Sequence, residues 1–260
     1  MLVVAITAAL AAPTSAELEA AMQAYSAQAV NGLPTLTEAQ RQDLIQGRCV
    51  RVLRENPDPE KPSAATGMIL VKVPRPNLWI ATQDLHASVD PDLTEFIVKP
   101  IGPDAAWWYG YWDLPRPVKD RQWVVHSYNN HDLAAATGGQ AWEHVWSLVP
   151  DGLDHVRSMV GEGAKRGIDA GDLDHAIFTP VNEGSWTMLT LGDHTLLAYQ
   201  ATSVVGGSIP SWMVQKLAMM RLESVLRRVE DRAQTWVPSH YAGGHEAVYG
   251  GDGQRIVLGG

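Results

Sequence analysis

Proton transfer, metal binding and nucleophilic attack need particular side chains at particular spacings, and few segments of this chain supply them. Nine histidines are present. His126 and His131 fall in or just after one extended segment with no acidic residue between them. His240 and His245-Glu246 sit in a Gly-rich segment; such a loop can hold a metal but more often does not, and no metal site is assigned. Ser127 and Ser211 lack the Gly-x-Ser-x-Gly turn that exposes a nucleophile. Gly138-Gly139 and Gly250-Gly251 are followed by no Lys-Ser/Thr, so neither cradles phosphate. Asp90-Pro91-Asp92 reads as a turn. Cys49 is the lone cysteine, which excludes an internal disulfide and reads as a small buried apolar residue. The polar groups that could converge in an interior reduce to Asn129, His144 and Tyr199.

The unusual chemistry lies instead in the aromatics. Ten Trp stand against two Phe. Each Trp offers a broad apolar face with one N–H donor, suited to a cavity wall or simply to a core. Alternation over residues 106–112 puts Trp108, Gly110 and Trp112 on one face of a strand and Trp107, Tyr109 and Tyr111 on the other. Trp142, His144 and Trp146 share a face in the segment 142–148. The net charge of −9, without basic clusters, argues against nucleic acid.

The elements that must position these residues can be read from patterning. Helices are expected at 17–29 and 37–46, the second opened by a Thr37/Gln40 capping box. Strands are expected at 48–54, 66–73, 93–101, 106–112, 121–130, 142–148, 186–191 and 195–203, with a short helix at 78–85 and a hairpin at Gly192-Asp193-His194. The connection 150–174 is polar and Gly-rich, a loop or a flap. A long helix is expected at 211–233, with Pro210 in its first turn and Ser208 as a candidate cap. Val214, Ala218, Leu222, Val225 and Val229 form its apolar stripe, widened by Met213, Leu217 and Met220. An antiparallel sheet with one apolar face needs a cover, and this helix is the natural lid. The Gly-rich tail 236–260 is expected to be loosely ordered. Residues 1–12 are almost purely apolar and too short to span a bilayer, so 1–16 reads as a leader cleaved before Glu17. That implies a periplasmic or secreted protein; with no Lys or Arg ahead of the apolar run, a retained helix and a cytoplasmic protein is the alternative.

Two segments resemble START domains, above all the phosphatidylcholine-transfer branch. Trp112-Asp113-Leu114-Pro115-Arg116-Pro117, followed by Arg121-Gln122-Trp123-Val124, is similar to the family's Pro-rich turn into a central strand. Gly206-Gly207-Ser208-Ile209-Pro210-Ser211-Trp212-Met213 is similar to the start of its lid helix. The resemblance spans 35–233 and departs at Val204-Val205, Gln122 and Gln215. It implies an α+β helix-grip fold of the START/Bet v 1-like type, a curved antiparallel sheet closed by a long C-terminal helix around an apolar cavity. The domain would run over 35–235, behind a helical segment 17–34. Trp108 and Ser127 stand about where many members carry a buried acid and arginine, so the cavity is expected to be uncharged. Trp112, Trp123 and Trp186 match aromatic positions that box a choline head group, unless they are ordinary core residues.

The implied function is a non-enzymatic carrier or sensor of a lipid or other apolar molecule, without cofactor, touching membrane surfaces transiently. Its ligand would meet Trp108, Trp112, Trp123, Val125, Ser127, Trp146, Trp186, Met188, Tyr199, Met213, Leu217 and Met220. Two alternatives stay open: a cyclase or hydrolase on the same fold, and an exported interaction module with a filled core.

Overall fold

The computed structural model describes residues 12–56, 62–84, 86, 92–158, 167–207, 211–244 and 246–259, with the backbone alone at 211–214. Helix α1 (Ser15–Ser26) begins two residues ahead of the expected start at Glu17. Thr14 caps it, its hydroxyl accepting from the Glu17 N–H while the Glu17 carboxylate accepts from the Thr14 N–H. Cleavage after Ala16 would remove this cap. Helix α2 (Glu38–Ile45) opens with the expected Thr37/Gln40 box.

The strands are β1 (Val50–Arg54), β2 (Ala64–Val71), β3 (Leu93–Pro100), β4 (Ala105–Trp112), β5 (Arg121–Asn129), β6 (Ala141–Leu148), β7 (Ile177–Phe178), β8 (Val181–Leu191) and β9 (His194–Val204). They form one sheet in the order β1-β2-β9-β8-β6-β5-β4-β3, with β7 paired parallel to β5. Helix α3 (Arg75–Gln83) follows β2, and α4 (His131–Ala136) follows β5. The 150–174 connection is not a bare loop: it holds α5 (Gly152–Ser158) and α6 (Ala170–His175). Val156, Ile168 and Leu173 bury there against Tyr109, Tyr111 and Val124.

Period-two alternation gives the sheet two apolar faces. On one, Met68, Leu70, Leu189, Leu196 and Ala198 pack against Leu18, Met22 and Tyr25 of α1 and Leu44 of α2. On the other, Ile69, Trp186, Met188 and Leu197 pack with α3 and with Leu226, Val229 and Ala233 of the long helix α7 (Ser211–Thr235). Among the described residues no helix is long and apolar enough to cross a membrane.

The tail corrects a second expectation, because it is folded. Helix α8 (Val237–His240) and the hairpin β10 (Val248–Tyr249) with β11 (Arg255–Ile256) lie against the inner core, and Val237 and Tyr241 are buried. Gly250 and Gly251 rest on the Trp142 ring, an approach that any side chain would block. Gly243, Gly244 and Gly253 take left-handed backbone angles, at φ +74°, +65° and +73°, which serve the turns of this segment.

Candidate functional site

Helix α7 makes its sheet contacts on β1, β2 and β9 and runs along α3. It does not roof the whole sheet. Beside it, over β4, β5 and β6, a cavity of about 190 Å³ remains. Cross-strand pairing aligns its walls: Trp108 lies opposite Val125, Ser127 opposite Trp146, and Trp186 opposite both His144 and Tyr199. Trp146 stacks on Tyr199 at 5.6 Å and Tyr199 meets Trp186 at 4.5 Å, which makes one continuous aromatic wall. The Trp146 Nε1–H is satisfied by Asn182 Oδ1 at 3.0 Å. Trp123 lies across Gly110, where a Cβ would come within 2.4 Å of the indole, so Gly110 makes room for that ring. A second pocket, of about 170 Å³, shares Gln83, Trp108, Ser127 and His144 with the first and opens toward the tail.

The polar lining is sparse and oriented. Asn129 Nδ2 donates to the Tyr249 and Gly250 carbonyls at 3.3 and 3.2 Å, so its Oδ1 faces His144. That oxygen accepts from His144 Nδ1 at 2.7 Å. The network therefore puts the His144 proton on Nδ1 and leaves Nε2 as an acceptor. Burial pushes His144 down to about 4, so the ring is neutral at pH 7. Gln83 Nε2 is a buried donor with no partner, on a residue lining both pockets. Glu95, from β3, also borders the larger cavity. The lining thus includes one carboxyl group, from a strand neighbouring Trp108, where Trp108 and Ser127 alone suggested none.

Seven of the residues expected to meet a ligand border the cavity: Trp108, Trp123, Val125, Ser127, Trp146, Trp186 and Tyr199. Met188 is fully buried in the core beside them. The side chain of Met213 lies outside the described residues. Leu217 and Met220 face solvent, 48% and 63% exposed, contrary to expectation. Periodicity identified the helix, but α7 reaches the cavity through Val225. Of the three Trp expected to box a head group, Trp123 and Trp186 border this cavity. The Arg221 guanidinium covers the Trp112 ring at 5.5 Å, so an internal cation holds that face.

No family model matches the chain, and no curated protein matches it. Solved structures do. Human StAR-related lipid transfer protein 5 superposes with a TM-score of 0.53 at 14% identity, over 84% of this chain and 97% of that one. Human STARD10 gives 0.52 at 15% identity, over 67% of this chain and 64% of that one, so under two thirds of its length is spanned. A STAR-related lipid transfer protein fragment from Xanthomonas axonopodis gives 0.51 at 20% identity, over 66% and 86%. The chain has the START fold.

The START fold also explains why the two similar segments occur together: they meet in space. Arg121, 1% exposed, donates from Nε to the Val205 carbonyl at 2.5 Å and from Nη2 to the Gly206 carbonyl at 3.0 Å. Its Nη1 is bound by the Lys119 carbonyl. Gly207 follows at φ +71°, where a Cβ would stand 2.9 Å from Ile177. Arg121 thereby fastens the entry of the lid helix to the central strand.

Proposed function

We propose that this START-fold chain binds one apolar ligand, of lipid type, in the hollow beside α7. The observation that carries the proposal is the aromatic wall of Trp108, Trp123, Trp146, Trp186 and Tyr199 around space that no described side chain fills. Each pocket is below the about 300–1,000 Å³ usual for a ligand site, and only the two joined enter that range. A long ligand therefore fills both. The His144 Nε2 acceptor suits one uncharged hydroxyl on that ligand. Leu217 and Met220, exposed and three residues apart on α7, give the lid an apolar face for brief contact with a membrane surface. Export rests on the apolar run 1–12 and, given the Thr14 cap, on cleavage ahead of that residue.

The enzyme alternative has one observation behind it, the Asn129–His144 pair. A general base works best with a pKa near the operating pH. His144, held near 4, is better suited to accept a hydrogen bond than to remove a proton.

The test is equilibrium binding of a fluorescent long-chain alcohol and of the matching alkane. Saturable one-to-one binding of the alcohol is expected, weakened about tenfold by His144→Phe, the worth of one hydrogen bond. The alkane should not respond to that substitution. No saturable binding of either probe would overturn the proposal.

A further inference from the structure

The fold brings His86 beside His240 and Glu246, 154 and 160 residues further along the chain. His86 follows α3, His240 ends α8, and Glu246 precedes β10. His86 Nε2 stands 2.9 and 3.1 Å from the two Glu246 carboxylate oxygens. His240 Nε2 stands 3.0 Å from Glu246 Oε1 and 3.1 Å from His86 Nε2. Two imidazole nitrogens turned toward each other and toward one carboxylate oxygen share a common centre. Around an ion with bonds of about 2.0–2.1 Å, neighbouring ligand atoms lie about 3.0 Å apart in an octahedron and about 3.3 Å apart in a tetrahedron. The observed separations sit close to those edges.

The ligands are held from behind. The His86 N–H donates to Asp84 Oδ1 at 2.9 Å. Asp84, whose side chain is fully buried, also accepts from Arg232 Nε at 2.8 Å and from the Tyr241 hydroxyl at 3.1 Å. The end of α3 is thereby joined to the end of α7. His240 stacks on Trp236 at 4.4 Å and 15°, which fixes its ring plane. The Glu246 and His86 side chains are about two-fifths exposed, leaving a side open to water. Glu246 also borders the smaller pocket.

We infer that His86, His240 and Glu246 bind a divalent late transition metal, with Zn²⁺ the best match to two imidazoles and one carboxylate. The ion ties the tail to α3 at the mouth of the pocket. The remaining coordination position belongs to water. Binding the ion needs neither the apolar ligand nor its cavity to be occupied.

The test uses the full chain, stripped with a chelator and dialysed against Zn²⁺ or Co²⁺. One ion per chain is expected, with a visible Co²⁺ spectrum of low coordination number and a higher melting temperature in Zn²⁺. His86→Ala and His240→Ala should each weaken binding at least about 100-fold, beyond the 10–100-fold typical of outer partners. His175→Ala, on distant α6, should change nothing. Less than one ion bound by the unaltered chain overturns the inference without any variant. Undiminished binding in the His86→Ala/His240→Ala double variant overturns it as well.

Discussion

Two neighbouring residues of β6 show how differently the two faces of this sheet are built. Glu143 points toward α1 and is fully buried. It accepts from the Val30 and Asn31 N–H groups, each at 2.9 Å, from Asn130 Nδ2 at 2.8 Å and from the Tyr25 hydroxyl at 3.0 Å. Four donors thus converge on its two oxygens. His144, on the other face, has one ring nitrogen committed and borders empty space. A packed face stabilises the fold through satisfied contacts; the open face keeps room and a spare acceptor for something absent from the chain itself.

The largest expected effect breaks the packed side. Glu143→Leu strands two backbone donors and the Asn130 amide, at a cost of about 3–5 kcal/mol, read as a fall in the urea midpoint. His144→Leu should cost about 1–2 kcal/mol, since it orphans only the Asn129 carbonyl. Equal losses would erase the contrast between the faces.

Acid should sharpen it next. Unfolded His144 takes a proton below its ordinary 6.5, whereas the folded ring resists until about 4. The unfolded state then binds more protons, so the contribution is whole above pH 6.5 and is lost as pH falls toward 4, by roughly 3 kcal/mol. Urea unfolding at pH 7 and pH 4.5 should show this slope in the native chain and lose it in His144→Leu.

Volume gives a smaller contrast. Ala198, buried under α1, should lose about 2 kcal/mol as Ala198→Leu through overpacking, whereas Ser127→Leu, which grows into the cavity, should stay within about 1 kcal/mol. Thermal unfolding of the pair checks it. The smallest effect concerns Arg221, which reaches from α7 to Asp92 at 2.9 Å and covers Trp112. Arg221→Ala should cost no more than about 1 kcal/mol, as exposed ion pairs do, while speeding ligand uptake in stopped-flow measurements.

Local pattern carried much of this architecture. Alternation in 106–112 placed Trp108 on the cavity side and Tyr109 on the packed side, and the Thr37/Gln40 box marked α2. What escaped depends on long-range geometry. Which apolar residues of α7 meet the sheet depends on where the helix crosses it, so Leu222, Leu226 and Val229 are buried while Leu217 and Met220 are not. The order of the tail depends on the Trp142 ring that Gly251 touches. The acid in the cavity belongs to β3, outside both similar segments. His86 and His240 lie 154 residues apart, beyond any spacing rule.

Native mass spectrometry of the purified full chain, beside Ser127→Trp, tests the hollow most directly. The native chain should carry the added mass of one apolar molecule that organic solvent removes, and the filled variant should fly at its bare mass with stability unimpaired. A native chain that stays at its bare mass after incubation with mixed lipid vesicles and long-chain alcohols would contradict the existence of a ligand cavity.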